Sequence, residues 1–567
     1  MMKKKLTIML KCFAVFALSL AAVFSAAPLV ARAETWDGTA DTSWYNDEDF
    51  EFTLISAKQL AGLAKLVNAG NNFSGKTVRL GADIQLNDTS NWEEWDDATE
   101  GLLQWIPIGN NANLFSGTFD GQGFAVRGLY INYVLYDQGF FGYIGVGGTV
   151  KDVQITMSWI NGYYTVGSVA GYNAGTIENC HNANDVNGNY YVGGIAGINI
   201  GTIKTSCNEG AVTGERWVGG VAGDNNGIVE NSYNTGDISG TEYYIGGVVG
   251  NNNNGTVKNS YNTGNISAPK SGGLAGFITG GVAGYNGGTI ESSYNTGAVI
   301  GNTMVGGVAG QNNRKNLIKN CYNTGAVTAT SQIGGVAGFN DGTIESSYNT
   351  GAVIGGTQVG GVVGYSEIAT IKYCYSSGTV SGEGGVGGVV GGKYYGTLES
   401  CYFLEGTASV GIGNDSGQNL SKSAQDFTNG EVAWLLQGGR SFLVWGHTAL
   451  GGTEYPQLTV YNPLGQKTVR VTFNNGDSPS YAYTLAGSTV MFPVVDNEGY
   501  NAVWKNGLGD IYIQSTLITD DIILTLYLEP EIYNITYDLD GGTNDEGNPL
   551  TYTIEDAVTL LDPSKTG

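Results

Sequence analysis

The sequence predicts an all-β chain whose main body is a right-handed parallel β-helix, a solenoid with coils of about 26 residues. Two observations carry this. A block reading V-G-G-V-A-G recurs with its first glycine at Gly167, Gly193, Gly219, Gly246, Gly280, Gly306, Gly334, Gly360 and Gly387, in steps of 26, 26, 27, 34, 26, 28, 26 and 27 residues. Each unit also holds short β-branched runs, such as Thr343-Ile344-Glu345 and Ala352-Val353-Ile354, separated by Gly or Asn. No such run is stable alone, but stacked on its equivalent in the next unit it forms a parallel ladder over a continuous core. Helical periodicity does not interrupt the units, which disfavours a leucine-rich horseshoe, and a propeller blade needs about 40–45 residues.

The elements follow in order. Lys3, Lys4, Lys5 and Lys11, the apolar run from Phe13 to Phe24 and the small-x-small site Ala31-Arg32-Ala33 read as a secretory signal peptide over 1–33. Residues 34–104 read as an N-terminal cap with the first coils. Within them Ser56-Ala57-Lys58-Gln59 opens a helix to about Val67, followed by extended segments at Thr77–Leu80 and Ile84–Leu86. Residues 105–403 hold the repeats and 404–460 a C-terminal cap. A helix from Ser423 to about Gln437 is expected there, with Phe427, Val432, Trp434 and Leu435 on its apolar face, and Trp445, Tyr455 and Pro456 close the barrel end. Small β-rich, β-grasp-like modules are expected at 467–530 and, cut short, at 531–567, so the chain reads as part of a longer protein.

Inside the repeat, a tyrosine slot (Tyr233, Tyr261, Tyr294, Tyr322, Tyr348, Tyr375, Tyr402) precedes an asparagine slot (Asn182, Asn208, Asn234, Asn262, Asn295, Asn323, Asn349). Stacked Asn amides can hydrogen-bond from coil to coil, and Asn tolerates a left-handed corner. Cys180, Cys321, Cys374 and Cys401 occupy a slot filled elsewhere by Ser232, Ser260, Ser293 and Ser347, and Cys207 falls one place later. They read as small buried fillers, with a Cys374–Cys401 bridge left open.

Charge and motifs exclude several functions. Removal of Lys3, Lys4, Lys5, Lys11 and Arg32 with the leader leaves 21 basic against 51 acidic residues, a formal charge of −30. Such a surface repels phosphate backbones, so no nucleic-acid partner is expected. The mature chain has no membrane span by its apolar pattern. No cofactor and no metal are expected, since His181 and His447 stand apart and no CxxC pair occurs.

The units, for example Gly281–Asn286 with Gly288-Thr289-Ile290, resemble the GLUG motif of bacterial surface proteins, a family that includes adhesins and regions of immunoglobulin A-specific metallopeptidases. Trp105–Gly109 with Phe115–Gly121 resembles the lead-in coil of those proteins, and Asn429–Leu436 with Trp445-Gly446 their closing segment. The block from Tyr533 resembles a Listeria–Bacteroides repeat, a β-grasp-like surface module. The resemblance implies a secreted or cell-surface stalk or adhesin, attached through a region beyond Gly567. It carries over no catalytic residue, because the His-Glu-x-x-His motif of the metallopeptidases is missing.

The function expected is therefore a non-enzymatic stalk or adhesion module that binds a host-surface or cell-wall glycan or protein. Two alternatives stand beside it: a carbohydrate-active β-helix enzyme (lyase or hydrolase), and the non-catalytic part of a larger metallopeptidase. Asp120, the pair Arg314-Lys315 and the acidic loop of Glu93, Glu94, Asp96 and Asp97 are the places where charge breaks the pattern; none supplies an acid/base pair with an orienting partner. Asp538-Leu539-Asp540-Gly541-Gly542 is similar to a calcium loop but lacks the downstream Glu, so it reads as a hairpin turn. No catalytic residue is assigned. The candidate ligand site is an aromatic stripe of Tyr164, Tyr190, Tyr191, Trp217, Tyr243 and Tyr244, beside Tyr163 and Arg216. Later coils hold Thr303-Met304, Ser331-Gln332 and Thr357-Gln358 instead. Such a stripe suits sugar rings, or its rings stack on one another and stiffen the coils.

Overall fold

The computed structural model describes residues 36–268, 277–415, 418, 420–476 and 478–564; the leader expected at 1–33 lies outside the described residues. The chain divides into two compact units, Met1–Thr213 with Val221–Gly223, and Gly214–Gly220 with Asp224–Gly567. It is a parallel β-solenoid of about 13 turns with short helices.

One coil of the second unit shows how the repeat folds. Ala309–Asn312 and Leu317–Lys319 lie on a first face, Tyr322–Asn323 on a second and Val327–Gly334 on a third. Each pairs in parallel with its equivalent one coil on, as Ile318 with Ile344, Asn323 with Asn349 and Val327 with Val353. Val308, Ile318, Cys321, Val327 and Ile333 point inward and are fully buried.

The V-G-G-V-A-G block is thus a corner rather than a strand. Thr303–Gly306 ends one face, Gly307 and Val308 bend, and Ala309 begins the next. Sterics explain both glycines. A Cβ on Gly306 would lie 1.9 Å from the Ala309 carbonyl oxygen, and one on Gly307 would lie 2.3 Å from Cγ of Asn323. The second glycine therefore makes room for a buried asparagine amide.

That amide belongs to a ladder. Asn234, Asn262, Asn295 and Asn323 each donate to the Oδ1 of the asparagine one coil on, at 2.8–2.9 Å, and each also donates to a glycine carbonyl two residues ahead at 2.7 Å. In the first unit Asn182 donates to Asn208 at 2.7 Å. These asparagines sit in short strands. The left-handed corner expected at them falls three residues earlier, at Asn231, Asn259, Ser292, Asn320 and Ser346, with φ between 48° and 53°. A second ladder, not expected from the sequence, runs through Asn252, Asn286, Asn312 and Asn340 and also donates along the coils at 2.7–2.8 Å.

The first face also carries an unexpected column of alternating charge. In the first unit Arg79, Asp120, Lys151, Glu178 and Lys204 are successive register partners. In the second, Glu230, Lys258, Glu291, Lys319, Glu345, Lys372 and Glu399 are. Ion pairs form at Lys151–Asp120 (2.9 Å), Lys204–Glu178 (3.1 Å), Lys258–Glu230 (2.6 Å) and Lys372–Glu345 (3.1 Å).

Coils also form at 51–160, where the glycine block is lacking. Glu51–Leu54 pairs with Thr77–Leu80, and that strand with Thr118–Asp120. Phe115, Phe119, Phe140 and Phe141 pack on one another there, filling space that Val and Ala take in later coils. Ser56 caps the helix Ala57–Asn68 by accepting from the Gln59 amide at 3.4 Å. The reciprocal bond is displaced by one residue, since Gln59 Oε1 accepts from the Ile55 amide.

The second predicted helix is two, Ala424–Thr428 and Glu431–Gln437, broken at Gly430, whose φ is 98°. This cap lies along the side of the coils and covers the second face. Phe427, Trp445 and Tyr461 pack against Tyr375, Tyr348, Tyr322 and Tyr294. The Tyr375 and Tyr461 hydroxyls donate to Pro456 O (2.8 Å) and Asn320 O (2.9 Å). Trp434, expected in the cap's core, faces the next module: its indole donates to Asp521, and the Arg470 guanidinium lies 4.0 Å from its ring centre. That module is a five-stranded sheet in which the first strand, Thr468–Asn474, and the last, Ile522–Pro530, run parallel at the centre, the strand order of a β-grasp. Tyr533-Asn534 pairs with Thr551-Tyr552 beyond it.

Candidate functional site

The aromatic stripe is two columns, not one. Thr165, Tyr191, Trp217, Tyr243, Met304, Gln332 and Gln358 share one backbone state, φ between 49° and 56°. This left-handed corner on the third face disfavours bulky side chains, at about 1–2 kcal/mol per residue. Tyr191, Trp217 and Tyr243 are therefore held at a strained bend that Thr or Gln fills in other coils. The neighbouring column contains Tyr164 and Tyr190, which are register partners, and in later coils Thr303, Ser331 and Thr357. The coil does not require a ring at either position.

In the first unit, Tyr164 stacks on Tyr190 with centroids 5.0 Å apart and planes at 16°. Tyr136, not among the expected residues, stacks on the other face of Tyr164 at 4.7 Å and 12°. Tyr163 packs edge-on against both Tyr164 and Tyr190. Tyr136 is 67% exposed, and Val134 and Leu135 beside it are 79% and 59% exposed, so the stack ends in an apolar loop open to solvent. Below this loop the Thr165 hydroxyl donates to Asp137 Oδ1 at 2.8 Å, and burial pushes the Asp137 carboxyl above its ordinary range. The sequence signal for the loop is Tyr133-Val134-Leu135-Tyr136, an apolar run in a turn that lies outside the glycine block.

In the second unit, Trp217 stacks on Tyr243 at 6.3 Å and 15°. The Arg216 guanidinium covers the Tyr243 ring at 4.6 Å and pairs with Glu242 at 2.6 Å. Tyr244 leaves the stripe, because its ring stacks instead on Tyr285 of the next coil's first face, at 4.9 Å.

Several of the other singled-out residues are tied into the fold. Asp120 is in the charge column, and its Oδ1 accepts from the Gln122 amide. Arg314 pairs with Asp341 at 3.2 Å. Glu93 and Glu94 lie in the 3-10 turn Trp92–Glu94, and Asp96 Oδ1 accepts from the Thr99 hydroxyl. Asp538 Oδ1 accepts from the Asp540 amide within a turn. His181 lies 3.1 Å from Glu209, and His447 is fully buried in the cap. Cys180, Cys321, Cys374 and Cys401 are free thiols; burial pushes Cys180 and Cys321 up to about 12. Each buried sulfur contacts the carbonyl two residues back, as the Ser232 and Ser293 hydroxyls do.

A family model described as the GLUG motif matches residues 241–267 and 355–381, so the chain carries GLUG repeats. A protein described as a candidate Gly-rich membrane protein of Evansella cellulosilytica is 37% identical over 83 residues, 13% of this chain and 9% of that protein. Halomucin of Haloquadratum walsbyi is 30% identical over 147 residues, 25% of this chain and 2% of its own length. The chain thus spans less than a tenth of either relative. A solved structure described as a candidate immunoglobulin A1 protease from Bacteroides ovatus aligns over 73% of this chain and 93% of its own, at 17% identity and a TM-score of 0.24. No helix among the described residues is long and apolar enough to cross a membrane.

Proposed function

We propose that this chain is a non-enzymatic stalk and adhesion segment of a secreted, surface-attached bacterial protein. Its aromatic loop at residues 133–136 binds a partner, a glycan or protein of a host surface or cell wall. The solenoid supports the stalk reading: within each unit, interior ladders and an external charge column define one register for each coil, as a spacer built by stacking repeats requires. The β-grasp strand order at 468–530 supports reading the following blocks as surface modules of the Listeria–Bacteroides kind.

The observation that carries the binding reading is the exposed loop Val134-Leu135-Tyr136 at the end of the Tyr136–Tyr164–Tyr190 stack. Within a stack the ring faces are occupied by neighbouring rings, so Tyr164 contributes edges and a hydroxyl. The outer face of Tyr136 can take the face of a sugar or an apolar side chain.

Replacing Val134, Leu135 and Tyr136 together with serine tests this. The loop lies outside the strands, so the melting temperature should hold while binding to a glycan array, to cell-wall sacculi and to host cells falls at least about tenfold, as loss of a small hot spot does. Unchanged binding to a partner that the parent protein captures would refute the role of the loop.

A further inference from the structure

We infer that a cleft beside the N-terminal helix is a binding site for a small apolar carboxylate. It belongs to the first unit and stands apart from the aromatic loop. Its volume is about 540 Å³, within the range of ligand pockets rather than packing defects. Trp36 and Trp105 form one side, with ring centroids 6.0 Å apart at 62°, and Leu103 lies beside them. The opposite side is the helix, which presents Ala61 and Ala64 there. Small residues on that face keep the space open, whereas elsewhere in the cap Leu60, Leu63 and Val67 fill the core completely.

The polar groups of the cleft are uneven. The Trp36 indole donates to Thr39 O at 2.8 Å and the Trp105 indole to Phe140 O at 3.0 Å, so neither N–H is open to a ligand; Trp36 supplies the apolar surface, and Trp105, 1% exposed, backs it. Asn68 is engaged with Pro107 O and the Gly109 amide. Gln104 differs: its Nε2 is buried and has no hydrogen-bond partner among the described residues. A buried donor left unmade is costly, and an acceptor on a ligand would recover that cost. Lys65 lines the same cleft, is exposed, and has no ion-pair partner among the described residues, whereas nearby Lys58 is paired with Asp37 at 2.8 Å. A free ammonium beside an unsatisfied amide donor, next to two indoles, favours a ligand with an apolar ring or chain and one carboxylate over a neutral compound of the same shape.

The test uses the full chain with 2-naphthoate and, as its neutral counterpart, 2-naphthalenemethanol, followed by tryptophan fluorescence and calorimetry. Naphthoate should bind at one site per chain and the alcohol at least about tenfold more weakly, the loss expected for one charge-assisted hydrogen bond. Lys65→Glu and Gln104→Leu should each weaken naphthoate about tenfold, and Ala64→Phe should abolish its binding by filling the cleft. Lys65 is exposed, so Lys65→Glu remains informative even if Ala64→Phe does not fold. No naphthoate binding to the parent protein, full binding by folded Ala64→Phe, or equal binding of acid and alcohol would each overturn the proposal.

Discussion

Two tyrosine stacks in this protein have nearly the same geometry and opposite surroundings. On the second face of the second unit, Tyr233, Tyr261, Tyr294, Tyr322, Tyr348 and Tyr375 stack at 4.6–5.1 Å with planes within 11°. On the third face of the first unit, Tyr136, Tyr164 and Tyr190 stack at 4.7 and 5.0 Å. From Tyr294 to Tyr375 the first stack is roofed by the C-terminal cap, and Tyr375 is 1% exposed; the second ends in Tyr136, 67% exposed. The spacing of stacked rings follows from the coil repeat wherever tyrosines occupy one column. Spacing alone therefore says nothing about role. What lies over the rings does.

The largest expected effect breaks this comparison directly. Tyr375→Ala removes a ring packed on Phe427 and Trp445 and a hydroxyl bonded to Pro456 O, and should cost about 3–5 kcal/mol. Tyr164→Ala, in the solvent-facing stack, should cost about 1 kcal/mol or less. Denaturant melts of the two variants read the difference; equal costs would mean that the exposed stack is as structural as the covered one.

The roof itself should be acid-sensitive. His447 is fully buried in the cap, and burial holds its pKa down at about 4, from an ordinary 6.5, despite the opposing pull of Glu454. Between those values the unfolded chain binds the proton and the folded cap does not. Stability therefore falls as pH drops from about 6.5 to about 4, by up to roughly 3 kcal/mol, and levels off below. His447→Leu should flatten the profile when cap release is followed by Trp445 fluorescence. The solvent-facing stack should show no matching transition.

The smallest effect concerns what keeps each column in register. Deleting one coil, residues 334–359, removes Glu345 and sets Lys319 opposite Lys372. Deleting two, residues 306–359, removes Lys319 as well and sets Glu291 opposite Lys372, so the alternation is preserved. Beyond the loss of length, the one-coil variant should carry an extra penalty of about 0.5–1 kcal/mol. The penalty should shrink in 1 M salt, because the column is partly exposed. A penalty insensitive to salt would show that the charge column does not set the register.

The fold class, the coil length and the inward-facing positions were legible because a period near 26 residues repeats the same small and β-branched residues, and stacking leaves few other ways to bury them. The asparagine slot was legible for the same reason. The second ladder and the charge column are equally periodic, but their signal is a pattern between coils, Glu opposite Lys, that appears only when units are aligned by register rather than by the glycine block.

By itself, then, the sequence determined which residues stack, since stacking is set by the repeat. Tertiary structure decided what each stack faces. Only the folded chain turns the cap onto the side of the coils, so that Trp445 and Tyr461 cover Tyr348 and Tyr322. It also places Tyr136 on Tyr164 across a turn that carries no repeat, and leaves the small residues of the N-terminal helix lining a cleft with Trp36. Those contacts join residues from tens to more than a hundred positions apart, and no local pattern encodes them. Loop closure costs little more at long separations than at short ones, so packing of the whole unit, rather than local propensity, selects the partners.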